Sequence, residues 1–254
     1  MKLLQTRAIV LFSRPMGEGD RLLTLFTWEK GKLTAKAPGA RKVKSKLAAV
    51  VEIFNCNLLQ LFMGRSIATV TQGRVETSFS RIREDINSYA LGMYFGELVE
   101  KLVEEGEADP ELFTLLFQSF DLLHHARIDR ELLQCYFQLK LLSLLGYSPH
   151  FKDCLLCGEA NSPFYWSFGG GGLFCAKCRS AVKGPLFSFS VGTHALAKGM
   201  LRFTPEIIRN LKASPKQKKE LLDFLKHFMQ YWTDIGPLKT LTYLEKIKTS
   251  AVRK

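Results

Sequence analysis

The sequence predicts an α+β protein in which a small N-terminal β-barrel is followed by an α-helical domain with an embedded four-cysteine zinc module. Three observations support this fold class. Short apolar runs separated by turn residues fill the first 80 residues, apolar residues then recur at helical spacing, and two Cys-x-x-Cys pairs interrupt the helical part. We therefore expect a barrel at 1–79, helices at 80–150, the zinc module at 151–186, and further helices with a basic tail at 187–254.

Five candidate strands account for the barrel. They are rich in Val, Ile, Leu, Phe and Thr, and turn-forming residues such as Gly17, Gly31 and Gly39 lie between them. Five short strands are too few for a large sandwich, so a small closed barrel of the OB-fold type fits them. The candidate runs cover residues 8–12, 21–27, 32–37, 50–61 and 67–75.

Helical periodicity starts near Ser80, where apolar residues begin to recur three and four positions apart, and this predicts a helix that ends near Gly106. Residues suited to N-capping mark further helix starts at Asp109, Asp129, Thr204 and Ser214. Gly236-Pro237 is expected to break the last strong helix. A basic tail should follow, with Lys246, Lys248, Arg253 and Lys254.

The strongest chemical signal is a quartet of cysteines in two pairs, with 17 residues between the pairs. Each Cys-x-x-Cys turn presents two thiolates on one side, so two turns complete a tetrahedron around one Zn²⁺. Four protein ligands leave no open position, which indicates a structural zinc rather than a catalytic one. The alternatives are unligated buried pairs or redox dithiols, although the βαβ context of a redox dithiol is missing. The predicted ligands are Cys154, Cys157, Cys175 and Cys178.

Three smaller features complete the interpretation of the cysteines. Gly158 follows the second ligand and is expected to adopt positive φ. Cys56 and Cys135 sit in apolar runs and are expected to be buried bystanders. Paired cysteines of this kind, together with the lack of a signal peptide or of an apolar run of roughly 18 residues, predict a reducing cytoplasm and no membrane partner.

The charge of the chain favours a polyanionic partner. Lys and Arg total 36 against 24 Asp and Glu, for a formal net charge of +12. No Walker A motif and no arrangement of a nucleophile with a base is found, so we predict no enzyme. A dense cluster of cations within the barrel segment is the candidate DNA contact, and a merely solvated loop is the alternative. Phe26 or Trp28 could stack a base nearby, although either ring is more readily explained as part of the core. The predicted DNA-binding residues are Lys32, Lys36, Arg41, Lys42, Lys44 and Lys46.

The order of these motifs resembles that of the RecO family of bacterial recombination mediators. The resemblance rests on three stretches that together span nearly the whole chain. They are Gly17-Glu18-Gly19-Asp20-Arg21 with Phe26–Lys32 and Ala37–Lys46, Gly146-Tyr147-Ser148-Pro149 with Cys154-x-x-Cys157-Gly158, and Tyr231-Trp232 with Gly236 and Leu238-Lys239-Thr240. One departure is Pro38, which stands before Gly39 where we expect a Lys or Arg.

The resemblance implies an N-terminal OB-fold, a helical bundle and an embedded zinc module. It implies binding of single- and double-stranded DNA, annealing of complementary strands, and loading of RecA during repair. It further implies two protein partners, RecR and the C-terminal tail of single-stranded DNA-binding protein, and a nucleoid-associated location. Cations such as Arg127, Arg130 or Lys140 would meet the acidic tail.

The acidic middle of the chain, residues 81–150 with net charge −6, should avoid DNA because phosphates repel carboxylates. We predict one exposed acidic face, with Glu97, Glu100, Glu104, Glu105 and Glu107. Two other function classes stay open. A preference for structured RNA would indicate an RNA-binding OB-fold and zinc protein, and binding that is absent or independent of salt would indicate a non-enzymatic interaction scaffold.

Overall fold

The computed structural model describes residues 3–125, 128–161 and 163–252, and it confirms the α+β class. The chain divides into two compact units: Met1–Ala126 together with Pro237–Lys254, and Arg127–Gly236. The first unit is thus discontinuous in sequence, and the division into four segments stays a prediction. Several cations of the sequence analysis lie outside the described residues, namely Arg127, Arg253, Lys254 and the side chain of Lys248.

The barrel of the first unit contains five strands: β1 (Leu3–Met16), β2 (Asp20–Thr27), β3 (Gly31–Ala37), β4 (Cys56–Phe62) and β5 (Ala68–Thr77). They close in the order β1-β2-β3-β5-β4. The long strand β1 pairs antiparallel with both β2 and β4, so it belongs to two sides of the barrel. The short parallel contact between β3 and β5, at Ala35↔Ala68 and Lys36↔Thr69, closes the sheet.

Alternation along β3 shows how the sequence fills the barrel. Leu33, Ala35 and Ala37 are buried, while Lys32 and Lys36 between them are only partly buried. Side chains of a strand alternate between the two faces, so one face of β3 faces the core and the other carries the cations. The small alanines fit the narrow interior of a five-stranded barrel.

The predicted strand at 50–61 is wrong in its first half, because β4 begins only at Cys56. Residues 50–55 form turns, and Phe54 has a φ of 70°, which interrupts extended backbone. Val50 and Val51 are apolar because they pack into the barrel core, with exposures of only 2% and 3%. Burial, and not strand formation, accounts for the apolar run.

Four helices belong to the first unit: α1 (Ser80–Glu84), α2 (Ile86–Leu102), α3 (Pro110–His125) and α8 (Lys239–Val252). The single helix predicted to start near Ser80 is in fact two. Asp85 has extended backbone and its carboxylate accepts a hydrogen bond from Ser88 N at 2.8 Å, which starts α2 anew. The predicted cap at Asp109 is confirmed, since its carboxylate accepts from Leu112 N at 2.8 Å.

The segment after Gly236-Pro237, expected as a basic tail, forms the helix α8 over Lys239–Val252. Glu97 of α2 is only 6% exposed, and its carboxylate accepts hydrogen bonds from Lys239 N at 3.1 Å and Thr240 N at 2.9 Å. The Thr240 hydroxyl donates to the same carboxylate. Glu97 thus caps the first turn of α8 from another helix, where a negative charge also complements the helix dipole.

Removing this cap should loosen α8. We expect Glu97→Ala to destabilise the first unit by roughly 1–3 kcal/mol, because two N–H groups at the start of α8 and the Thr240 hydroxyl lose their acceptor. Limited proteolysis should then cleave within residues 237–252 much faster than in the unmodified protein. The matched control is Glu104→Ala, which removes an exposed carboxylate just after α2 and should leave the cleavage rate unchanged. Equal protection of α8 in both variants would contradict the capping role.

The second unit combines helices with a small sheet. Its helices are α4 (Arg130–Leu144), α5 (Val191–Met200), α6 (Pro205–Asn210) and α7 (Pro215–Trp232). Its strands β6 (Phe164–Ser167), β7 (Gly172–Cys175) and β8 (Leu186–Phe189) pair antiparallel in the order β7-β6-β8. The predicted caps at Asp129 and Ser214 are confirmed by hydrogen bonds to the first turns of α4 and α7.

Aromatic packing holds the sheet of the second unit against α7. Trp166 of β6 is 1% exposed, and its ring lies 5.2 Å from that of Phe224 and 5.6 Å from that of Phe228. Phe189 of β8 contacts Phe224 as well, at 4.8 Å. These rings form a core that is independent of the cysteines beside it. Within the described residues, no helix has both the length and the apolar character needed to cross a membrane.

Candidate nucleic-acid interface and metal centre

The cationic loop, residues 38–47 between β3 and β4, is fastened to the turn between β1 and β2. Arg41 N donates to Gly19 O at 2.9 Å, and the Arg41 guanidinium donates to Gly17 O at 2.9 Å. Gly39, with a φ of 65°, donates its N–H to the Asp20 carboxylate at 2.7 Å. Two turns thus support each other, and the loop presents four exposed cations at this end of the barrel: Arg41, Lys42, Lys44 and Lys46.

The other two predicted cations already have protein partners. The Lys36 ammonium lies 2.8 Å from Asp20, and this hydrogen bond, with that of the Gly39 N–H, holds the pKa of the Asp20 carboxyl below its usual value. The Lys32 ammonium donates to the Glu100 carbonyl in the last turn of α2, so it caps that helix. Four of the six predicted side chains therefore share one exposed loop, and Lys32 and Lys36 lie apart from it in roles that support the fold.

Sequence reasoning missed the role of Asp20, which joins the loop to the strands. Its carboxylate receives Lys36 on one oxygen and the Gly39 N–H on the other. The signal was available, because Asp20 lies within the first of the three stretches that carry the family resemblance. Because phosphates repel carboxylates, an acidic residue inside a basic segment indicates a partner within the protein rather than a DNA contact.

The two aromatic candidates differ in exposure. Phe26 is completely buried and belongs to the core, so it cannot stack a base. Trp28 is 38% exposed and meets the ring of Phe113 edge-on, with centroids 5.4 Å apart. Trp28 lies in the turn between β2 and β3, whereas the cationic loop joins the β1–β2 turn at the far end of β2. The predicted pairing of an aromatic ring with the loop cations is therefore not formed by these two residues.

The four predicted metal ligands are brought together. All four Sγ atoms lie within 4.8 Å of one another, and the Cys157 and Cys175 sulfurs are 3.7 Å apart. Cys154 and Cys157 flank a tight turn that is closed by a 2.9 Å hydrogen bond from Gly158 N to Cys154 O. The positive φ predicted for Gly158 is confirmed at 72°. Cys175 ends β7, and the second turn is closed by Cys178 N donating to Cys175 O at 3.1 Å.

The electrostatics of the cluster fit a bound cation. Burial opposes ionisation of Cys154, yet hydrogen bonds from the backbone of Cys175, Cys157 and Leu156 lower its pKa to about 6. Hydrogen bonds to the thiols of Cys157 and Cys175 raise the pKa of Cys178 to about 12. One thiolate thus keeps a neighbour neutral, and a divalent metal is what allows four sulfurs at this spacing to ionise together. Cys56 and Cys135 are buried, as predicted, and neither belongs to the group of four clustered sulfurs.

Comparison with known proteins covers most of the chain. The model for the N-terminal part of recombination protein O matches residues 1–79, and the model for its C-terminal part matches residues 83–242. This chain belongs to the recombination protein O family. Named relatives include the DNA repair protein RecO of Alkaliphilus metalliredigens, 34% identical over 96% of this chain and 100% of the relative. That of Bacillus mycoides is 30% identical over 96% of this chain and 97% of the relative.

The acidic face predicted for this RecO family member needs one correction. Glu97 is not on it, because its carboxylate is buried as the cap of α8. Glu104, Glu105 and Glu107 are exposed, and the Glu100 carboxylate lies 3.6 Å from Arg14. Helical spacing placed Glu97 with Glu100 and Glu104, but spacing identifies neighbours on a helix without showing what covers them.

Lys140, one of the cations expected to meet the acidic tail, and Lys218 of α7 both have partners within the second unit. The Lys140 ammonium donates to Leu201 O at 2.8 Å, and burial lowers its pKa. Lys218 lies 2.7 Å from Asp129 and 3.1 Å from Glu131, and the hydrogen bond to Asp129 raises its pKa. Lys140 therefore stabilises the second unit and is not an open contact for an acidic tail. Arg130, at the start of α4, is exposed.

Proposed function

We propose that the protein is a recombination mediator that binds single- and double-stranded DNA and anneals complementary strands, in the cytoplasm and close to the nucleoid. The observation that carries the proposal is the exposed cationic loop on a closed five-stranded barrel, in a chain of the recombination protein O family. Small barrels of this architecture often bind single strands along a positively charged groove. Arg41, Lys42, Lys44 and Lys46 are the proposed phosphate contacts, whereas Lys32 and Lys36 have partners within the protein.

Annealing suits a protein whose chemistry is electrostatic. Two strands repel each other through their phosphates, and cations that displace the counterions of both strands lower this barrier while the base edges stay free. No covalent step is required, which agrees with the prediction that the protein is not an enzyme. The proposal extends to the family partners: the protein would act with RecR and help to load RecA on DNA coated with single-stranded DNA-binding protein, whose C-terminal tail it would bind.

The proposed metal is one structural Zn²⁺ per chain, held by Cys154, Cys157, Cys175 and Cys178. The support is the clustering of four sulfurs within 4.8 Å on two tight turns. Soft thiolate ligands in a tetrahedral set favour zinc, and a closed shell of four leaves no position for substrate. The ion would join the loop after α4 to the end of β7, and it would supply no chemistry to annealing.

A strand-annealing assay tests the function. Complementary oligonucleotides, naked or coated with single-stranded DNA-binding protein, should form duplex faster with the protein than without it. ATP should have no effect on the rate, since neither a phosphate-binding loop nor a nucleophile paired with a base is found in the sequence. Annealing that depends on ATP hydrolysis would show that the protein has a catalytic site. Preferential binding of structured RNA over single-stranded DNA would favour the RNA-binding alternative.

A further inference from the structure

An exposed aromatic pair lies beside a glycine turn in the second unit. Tyr231 and Trp232 end α7 and are 56% and 39% exposed. The turn between β6 and β7 carries Gly169, Gly170 and Gly171, and the Trp232 ring lies 3.9 Å from the point where a Cβ of Gly171 would stand. The Tyr231 hydroxyl lies 4.0 Å from the position that a Cβ of Gly169 would occupy. The glycines place no side chain over the two rings. Phe168, which opens the turn, contacts the Tyr231 ring with centroids 5.8 Å apart, and both rings keep the exposed surface given above.

Two leucines of the first cysteine turn extend this surface. Leu155 and Leu156 are 46% and 59% exposed, and Leu155 lies directly over Gly172 at the start of β7. Leu155 N donates to Leu173 O at 2.9 Å, which fixes the cysteine turn against the strand. We call the resulting surface the turn patch, and it consists of Leu155, Leu156, Gly169–Gly171, Tyr231 and Trp232. Contiguous exposed apolar surface of this kind marks an interaction site rather than ordinary solvent-facing surface.

The net charge of the second unit favours a polyanionic partner for the turn patch. The second unit, residues 127–236, holds 15 Lys and Arg against 8 Asp and Glu, a net charge of +7. Lys177 and Arg179 are exposed on the second cysteine turn, one short strand of four residues, or roughly 10 Å, from the glycine turn. Arg179 is held in place over the Tyr165 ring at 4.9 Å, and its guanidinium donates to the Tyr165 hydroxyl at 2.8 Å.

We propose that the turn patch is a second contact for single-stranded DNA, in which unpaired bases stack on Trp232 and Tyr231 and phosphates meet Lys177 and Arg179. The proposal rests on the proposed function, since it adds a site for the same ligand on the second unit. Exposed aromatic rings beside cations are the combination that binds single strands without sequence preference. Double-stranded DNA offers no free base faces, so the patch should discriminate between the two forms.

The three tryptophans allow a direct spectroscopic test. They are Trp28, Trp166 and Trp232, and Trp166 is 1% exposed. In the Trp28→Phe variant, the tryptophan fluorescence that responds to solvent comes from Trp232. The fluorescence of the buried Trp166 should stay unchanged as long as the core is intact. Addition of oligo(dT) should quench the Trp232 emission, and addition of a duplex of equal length should not. Tyr231→Ala and Trp232→Ala should each weaken oligo(dT) binding by about 10-fold and leave duplex binding unchanged. Tyr147→Ala, an exposed tyrosine of the same unit, is the matched control and should not alter either affinity.

The outcomes separate this inference from the proposed function. Oligo(dT) that binds with unchanged affinity to Tyr231→Ala and Trp232→Ala, without quenching in Trp28→Phe, would overturn the stacking role and leave DNA binding intact. No binding of any DNA by the unmodified protein would overturn both. Unchanged DNA affinity combined with loss of self-association in sedimentation, for the same two variants, would assign the patch to a protein contact and also overturn the proposal.

Discussion

Cys157→Ser is expected to abolish stoichiometric zinc and to lower the melting temperature of the second unit. Cys157 supplies one of four sulfurs that lie within 4.8 Å of one another, and three ligands hold the metal far less tightly than four. Because a structural metal binds the folded state alone, its binding free energy is also stability. Loss of such a site costs on the order of 4 kcal/mol or more, which corresponds to roughly 10 °C or more in melting temperature.

The measurement needs metal content and stability from the same preparation. Elemental analysis of protein purified without chelators should give about one zinc per chain, by the closed-shell argument. Cys56→Ser is the control, because Cys56 is a buried cysteine of the barrel, outside the cluster. That variant should keep its zinc even if it melts earlier. Unmodified protein that contains no zinc would rule out the metal centre.

The cysteine cluster could be predicted from sequence because its geometry is local. Each Cys-x-x-Cys turn fixes two sulfurs by itself, and Gly158 with its φ of 72° closes the first turn as its position in the sequence indicates. The remaining requirement is that two turns meet, and the hairpin of β6 and β7 achieves this by placing Cys175 at the end of β7. The sequence did not predict that small sheet, since four-residue strands leave almost no periodic pattern.

Tertiary contacts explain the errors in the helical part. Glu97 looks like a surface carboxylate beside Glu100 and Glu104, but its partners are the N–H groups of Lys239 and Thr240, more than 140 positions later. The same contact caps α8, the helix that forms where a basic tail was expected. The helix also packs against the fold, since its Leu244 is only 5% exposed. Neither fact follows from local propensity, because a buried charge depends on a partner that only the fold supplies.

Tertiary contacts also separate the cations of the barrel segment into those that pair within the fold and those that stay exposed. A run of Lys and Arg predicts a positive surface but does not tell which members take part in the fold. Because side chains alternate along β3, Lys32 and Lys36 lie on the face away from the barrel core. Lys32 there donates to a carbonyl of α2, and Lys36 pairs with Asp20. The loop cations stay exposed because their turn is held by backbone hydrogen bonds and by Gly39. The structure thus separates four exposed loop cations from two cations that pair within the protein.

Replacing those four cations should produce the largest loss of DNA affinity. We expect the variant with Arg41, Lys42, Lys44 and Lys46 changed to Ala to bind single-stranded DNA on the order of 100-fold more weakly at ~0.1 M salt. Each phosphate contact on a single strand contributes roughly 0.7 to the slope of log affinity against log salt, so the slope should become shallower by about 3. Fluorescence anisotropy across a salt series measures both quantities.

A matched variant tests whether the position of the charges matters or only their number. Arg209, Lys212, Lys216 and Lys219 are exposed cations of the second unit, and their replacement by Ala removes the same formal charge. If phosphates bind the cationic loop, this control should change the slope by less than about 1, because cations that do not contact phosphates release few counterions. Circular dichroism should be unchanged in both variants, since the backbone bonds from Arg41 to Gly19 and from Gly39 to Asp20 remain. A slope that falls only in the control would place the phosphate contacts on the second unit instead of the barrel.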